Sequence, residues 1–240
     1  MSLWRNEKAG MTKTLQPDDH RIRVGRERSE KMRRRLLAAV MTTYTRCKPP
    51  ETWVVEDVIH EAGVSRATFY AHFVSLEDAI GVLGQELVEE MLQNLHDIFQ
   101  HAEAPAVRMV TGLEIFLLRG VTDSLWGEFV SRTEFLSPEN PLVKAIALDL
   151  EAAKASGAVR FTEIEAAISL FIGAMMEAIR HIVRSGQKSL GYIEEISLMI
   201  LLGIGMDPAQ AQRMVHERLV YIRGLAPEFL PWWRDPWPSE

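Results

Sequence analysis

The stretch Val55-Glu56-Asp57-Val58-Ile59-His60-Glu61-Ala62-Gly63-Val64-Ser65-Arg66-Ala67-Thr68-Phe69-Tyr70-Ala71-His72-Phe73 decides how this sequence reads. A short helix over about 52–61 meets Gly63, where a left-handed turn needs a residue without a Cβ, and Val64 fills the angle between two helices. Ser65 is placed to cap the next helix, expected over 65–73. In that helix Phe69 and Phe73 lie four apart and face inward. Arg66, Ala67, Thr68, Tyr70, Ala71 and His72 are left toward solvent. Such a face suits the major groove of double-stranded DNA, because small residues permit close approach and Arg66 can donate twice to guanine O6 and N7. Tyr70 and His72 suit phosphate oxygens. A helix-turn-helix used only for packing is the competing reading.

Working outward, apolar residues recur at helical spacing and no segment shows sustained apolar–polar alternation, so the chain reads as all-α. Upstream, Ser29 caps a first helix with Met32, Leu36, Leu37, Val40 and Tyr44 on one face, ended by Pro49-Pro50. Downstream, Ser75 followed by Glu77 and Asp78 opens a long helix carrying Ile80, Leu83, Leu87, Met91, Leu95 and Ile98. Further helices are expected near 105–119, 123–135, 141–156, 162–185, 190–204 and 208–223. The resulting division is a flexible basic arm over 1–27, a three-helix DNA-binding unit over 28–75, a larger helical ligand-binding and dimerisation domain over 76–225, and a Pro/Trp-rich tail over 226–240. Trp232, Trp233 and Trp237 of that tail either cap the body or bind a partner.

Charge agrees with this division. Net charge is −6, yet residues 1–75 carry +5 and residues 76–240 carry −11. A basic end on an acidic body is the asymmetry expected when one end faces phosphates. The arginines Arg21, Arg23, Arg26 and Arg28 read either as an arm along phosphates or a minor groove, or as a solvated tail. One cysteine, Cys47, excludes a disulfide framework and a Cys-based zinc site. The N-terminus lacks a secretory pattern, and the apolar run Ala166–Met176 is shorter than a bilayer span, so a cytoplasmic protein without membrane contact is expected. Gly-x-Ser-x-Gly, His-Glu-x-x-His and P-loop motifs are absent, and His96 and His101 diverge on a helix. No enzyme, cofactor or metal site is expected.

The run Ala-Gly-Val-Ser-Arg-Ala-Thr-Phe-Tyr-Ala-His-Phe, between a preceding helix and a Ser-x-Glu-Asp helix start, resembles the TetR/AcrR family of transcriptional regulators over about Ser29–Leu87. The resemblance implies that Ser65, Arg66, Ala67, Thr68, Tyr70 and His72, with Thr52 at the start of the second helix, contact operator DNA. It further implies a homodimer on a pseudo-palindromic operator and a small-molecule effector, here of apolar character. Three positions depart from the family pattern. Leu76 stands where a lysine is common, Trp53-Val54 replace a Ser/Thr cap for which Thr52 can substitute, and the bulky Ile59 replaces a small residue and should widen the crossing of the second and third helices.

The segment 163–183 is apolar nearly all round, so it needs cover on two sides. Ala166, Leu170, Gly173 and Ala174, with Ile196 and Ile200 from the next helix, are the candidate dimer surface; one fully buried helix in a monomer would show the same pattern. Phe116, Leu117, Trp126, Phe129, Val130, Phe171 and Met175 are candidates to line an apolar cavity, although core packing would use the same residues. Arg119, Arg132 and His181 would orient a ligand if they point inward. A protein–protein adaptor with a helix-turn-helix that does not bind DNA is the alternative function.

Overall fold

The computed structural model describes residues 17–47, 52–99, 104–132, 139–186 and 188–237, with 17–21 as backbone alone. Among them the chain forms ten helices and no strand: α1 (Pro17–Arg46), α2 (Val55–Ala62), α3 (Arg66–Tyr70), α4 (Leu76–Ile98), α5 (Pro105–Thr122), α6 (Ser124–Arg132), α7 (Pro141–Ala155), α8 (Ile164–Ser185), α9 (Leu190–Gly203) and α10 (Pro208–Phe229).

Local chemistry sets most of these starts. Ser75 Oγ accepts from Asp78 N–H at 3.1 Å while Asp78 Oδ2 accepts from Val74 N–H at 2.8 Å, so α4 begins with orphan amides satisfied on both sides. Asn140 and Asp207 cap α7 and α10, each followed by a proline whose missing N–H costs nothing there. Ser189 caps α9.

The first helix differs from expectation. It starts at Pro17 rather than Ser29, so residues 17–27 are helical and Ser29 is an exposed interior position. Pro17 has the fixed φ of a first helical residue, Asp18 and Asp19 sit where the helix dipole favours acids, and Arg23 pairs with Glu27 one turn on at 3.7 Å. Pro49-Pro50, residues 1–16 of the arm, His101 and the end of the helix expected to reach 135 lie outside the described residues.

The helix wrapped on all sides is α5, not α8. Leu113 through Val121 are all buried, and α5 packs on α6, α7, α8, α9 and α10. Its interior position encloses two ionisable groups. Burial pushes the Glu114 carboxyl well above the usual carboxylate range, against the pull of Arg218. Burial also lowers the Arg119 pKa, opposed by Glu90, whose Oε2 accepts from Arg119 Nη2 at 2.8 Å. By contrast α8 buries only Ala167, Phe171, Met175, Ala178, Ile179 and Ile182 and leaves the opposite face exposed. At 22 residues it is long and apolar enough by composition to cross a membrane, longer than the run Ala166–Met176 suggested; it lies against α5, α6, α7 and α9.

The expected tail is part of the body. Helix α10 continues through Pro227 to Phe229, Trp233 is 6% exposed, and Trp237 Nε1 donates to the Lys188 carbonyl at 2.6 Å. Trp232 stacks on Arg119, whose guanidinium carbon is 5.4 Å from one indole and 4.9 Å from that of Trp126.

Between α9 and α10, Gly205 adopts φ +80° while the carbonyl of Ile204 accepts from Arg160 N–H at 3.1 Å. This bond fastens the α9–α10 turn to the link between α7 and α8.

Candidate nucleic-acid interface and apolar cavity

The helix-turn-helix is built from its turn. Gly63 takes φ 60°, ψ 46°, its N–H donating to His60 O at 3.1 Å, and Val64 N–H donates to Ile59 O at 3.0 Å. A Cβ there would stand 2.9 Å from Arg35 Nη2. Ser65 Oγ accepts from Thr68 N–H at 3.1 Å and shares a 2.9 Å bond with Thr68 Oγ1, which locks the first turn of α3.

Helix α3 is shorter than expected, ending at Tyr70, because the chain already turns at Ala71 and His72 to bring Phe73 under the helix. Phe69 and Phe73 are 0% and 2% exposed. Their burial orients the opposite face: Ser65, Arg66, Ala67 and Tyr70 are exposed, while Thr68 and His72 are half-buried. Arg66 pairs with Glu56 of α2 and lies 5.7 Å from the Tyr70 ring centre. Tyr70 and the Glu56 carboxylate hold its guanidinium in the charged form.

The departures at the second helix have a structural account. Thr52 is exposed and does not cap α2; the N-cap is Val54, whose N–H is taken by Asp57 Oδ2 at 3.0 Å. Trp53 ties the start of α2 to α1, donating from Nε1 to Thr43 Oγ1 at 3.0 Å and meeting Tyr44 edge-on at 5.3 Å. A clamp to α1 therefore stands where a hydroxyl cap was expected. Ile59 and Leu76 both pack against the core. Arg23, Arg26 and Arg28 are exposed on α1, so the expected arm is helical at these positions, and Arg21 lies on the same helix.

Two devices that sequence reading missed join head and body. Tyr44 also meets Phe129 of α6 at 5.6 Å, making a continuous aromatic row from α6 through α1 to Trp53. Arg132, paired with Glu128, donates to the carbonyls of Cys47 at 2.7 Å and Tyr44 at 3.3 Å, satisfying the otherwise open end of α1. Arg180 of α8 in turn donates to Ser131 O at 3.1 Å. Only contacts between elements distant in sequence reveal these roles.

A cavity of about 450 Å³ opens between α4, α5 and α7 over a floor of α8. Leu113, Phe116, Leu142, Phe171 and Met175 line its interior, and Leu92, Leu95, Phe99, Met109, Gly112 and Ile146 its sides. Of the expected lining, Phe116, Phe171 and Met175 face this space. Leu117, Trp126 and Val130 are fully buried elsewhere in the core, and Phe129 faces α1. Arg119, Arg132 and His181 are also elsewhere: Arg119 is held by Glu90 and two indoles, Arg132 caps α1, and His181 stacks on Tyr192 at 4.8 Å. The polar groups at the cavity are His96, Arg108 and Asp149.

On the outer surface Ala166, Leu170 and Gly173 are exposed, and Ala174 and Ile196 half-buried. Ile200 is 2% exposed and belongs to the chain's own core, so it is unavailable to a partner. Leu170, 43% exposed, lies across Gly203 at the seam of α8 and α9, beside exposed Met199 and Leu202 on α9.

No protein-family model and no curated protein matches the chain. Solved structures do. RolR in complex with resorcinol superposes with a TM-score of 0.59 at 16% identity, covering 79% of this chain and 95% of that one. A TetR family transcription regulator from Marinobacter aquaeolei VT8 gives 0.61 at 15% identity, covering 76% and 100%. A gamma-butyrolactone receptor, an ArpA-like protein, gives 0.59 at 13% identity, covering 82% and 98%. The ten-helix arrangement, with its helix-turn-helix at one end, is the fold of the TetR family transcription regulators.

Proposed function

We propose that this protein is a cytoplasmic, non-enzymatic transcription regulator that binds operator DNA as a homodimer and is released from it by a small organic effector. The observation carrying this reading is the exposed face of α3: Arg66 projects from a helix whose N-terminus is locked by Ser65 and whose inner face is anchored by Phe69. Positioning of this kind is what base readout needs, and the neutral small residue Ala67 lets the helix approach the groove. In the free protein Glu56 occupies Arg66. Exchanging an exposed carboxylate for a guanine edge costs little, because both partners of the pair are solvated.

Arg66→Ala is expected to weaken binding to the operator by about 1–3 kcal/mol, a factor of about 5 to 150, with little change on random duplex. Competition titrations on the DNA upstream of the protein's own gene, run across a salt series, measure this. Unchanged discrimination would remove Arg66 from base reading; binding without salt dependence would favour the adaptor reading.

The exposed apolar seam of Leu170, Gly173, Met199 and Leu202 supports the dimer, since a two-fold pairing of α8 and α9 would cover it. Leu170→Arg is expected to give a monomer at micromolar concentration by light scattering and to lose operator binding with it. A dimer that persists unchanged would place the interface elsewhere. The cavity supports an effector site, and two neighbours accord with an organic ligand, one solved with resorcinol and one a gamma-butyrolactone receptor. Repression follows if the effector prefers a conformation whose two heads no longer match the operator spacing.

A further inference from the structure

The helix-turn-helix itself is short of positive charge. Over residues 52–78 it carries one Lys or Arg, the Arg66 assigned to base edges, against Glu56, Asp57, Glu61, Glu77 and Asp78. Taken alone such a unit repels a polyanion, whereas binding to duplex DNA draws a large share of its affinity from lysines and arginines that neutralise phosphates. In the head those cations stand on α1.

Most of them are already engaged or offset. Arg23 pairs with Glu27, Arg33 with Glu86 and Arg46 with Glu61. Arg26 and Arg34 stand one turn to either side of Glu30. Arg28, Lys31 and Arg35 remain: all three are exposed, and among the described residues none makes an ion pair. Glu27, one turn before Lys31, is taken by Arg23. Spacings of three and four residues put these three cations on one stripe, within about 60° of arc and about 10 Å of helix length.

The place of the stripe follows from what holds the helix. The last turn of α1 is fastened to the body, where Arg132 of α6 donates to the carbonyls of Tyr44 and Cys47, so toward its N-terminus the helix runs away from α6. Arg35 lies beside the turn that leads into α3: its Nη2 stands 2.9 Å from the point a Cβ on Gly63 would take. From there the stripe continues for about 10 Å toward the N-terminus, a length of about three phosphate steps along one strand at about 3.4 Å each.

Resting on the reading of the chain as an operator-binding regulator, we propose that Arg28, Lys31 and Arg35 form a phosphate-binding stripe that lies along one strand of duplex DNA beside the groove entered by α3. The stripe supplies affinity that is independent of sequence, and Arg66 supplies discrimination.

Salt titrations by fluorescence anisotropy test this on the full-length protein, with the DNA upstream of its own gene and a random duplex as the two probes. In the variant Arg28→Gln/Lys31→Gln/Arg35→Gln, the slope of log affinity against log salt should fall by about 0.9 for each side chain removed in each bound subunit. At 0.1 M salt affinity should drop at least about tenfold, to the same extent on both duplexes. Arg28→Gln/Lys31→Gln leaves the side chain beside the Gly63 turn untouched and should give two-thirds of the change in slope; its result decides should the triple variant fail to fold. Arg23→Gln, which removes a cation already paired, should leave the slope as it is, and Arg28→Lys/Arg35→Lys should retain it because the charge is kept.

An unchanged slope in the glutamine variants, a loss confined to the upstream DNA, or an equal fall with Arg23→Gln overturns the stripe and leaves the regulator reading standing. Wild-type protein that binds neither duplex in a salt-dependent way overturns both.

Discussion

Phe69→Ala is expected to abolish operator binding while leaving the body folded. The ring is 0% exposed and touches Phe73 and Tyr70 at centroid distances of 5.6 and 5.4 Å, so it is the post on which α3 stands. Truncating a fully buried phenylalanine costs about 3–5 kcal/mol through lost transfer energy and the cavity left behind. A three-helix head has a small core and little stability of its own to lose, so the loss exceeds what the local packing can absorb. The buried residues of head and body join in one core, but its larger part surrounds α5, away from Phe69. Scanning calorimetry should therefore show a low-temperature transition for the head split from that of the body, and band-shift titration should show no specific complex. A single transition with wild-type affinity would mean that the head is held by the body through Tyr44 and Arg132 more firmly than by its own core.

The second large effect lies far from DNA. Gly205→Ala puts a methyl 2.2 Å from the Arg160 carbonyl oxygen and 3.0 Å from its backbone nitrogen, at φ +80°. The left-handed conformation alone costs an L-residue about 1–2 kcal/mol. The overlap adds to this because the atoms struck are backbone, fixed by the bond from Arg160 N–H to Ile204 O, and no rotamer change relieves it. A total of at least about 2 kcal/mol, lowering Tm by about 4 °C or more for a chain of this length, is expected in thermal unfolding. Gly81→Ala is the contrast: the position is on α4 with nothing within 4 Å, and a methyl there should stabilise by about 0.5–1 kcal/mol. Equal effects at the two sites would mean that the α7–α8 link yields freely.

Much of the molecule was legible before any coordinates, and the legible parts share a cause. Helix starts at Ser65, Ser75, Asn140 and Asp207 rest on side chains bonding amides two or three residues away. The inward turn of Phe69 and Phe73 likewise follows from helical spacing alone. What misled was of two kinds, a competing local signal and information of longer range. Ser29 has the chemistry of a cap, yet the chain before it was already helical from Pro17, a better-placed start with two acids behind it. Trp126 and Phe171 are equally apolar, yet one packs under an arginine and the other lines a cavity. Periodicity tells which side of a helix is turned inward and is silent about what it meets there. The three polar residues at the cavity, His96, Arg108 and Asp149, come from three helices and carry no joint signal in the chain.

By itself the sequence determined the all-α class, the turn at Gly63, the capped helix that follows it and the outward placement of Arg66, Ala67 and Tyr70, because each depends on neighbours within about one or two helical turns. Tertiary structure alone decided that α5 rather than α8 is the enclosed helix, that Trp53, Tyr44 and Phe129 stand in one row, and that Arg108 neutralises Asp149 at the mouth of a cavity. Those outcomes depend on how whole helices cross. Crossing is settled by the summed packing of many side chains, each of which, taken singly, would fit several neighbours about equally well.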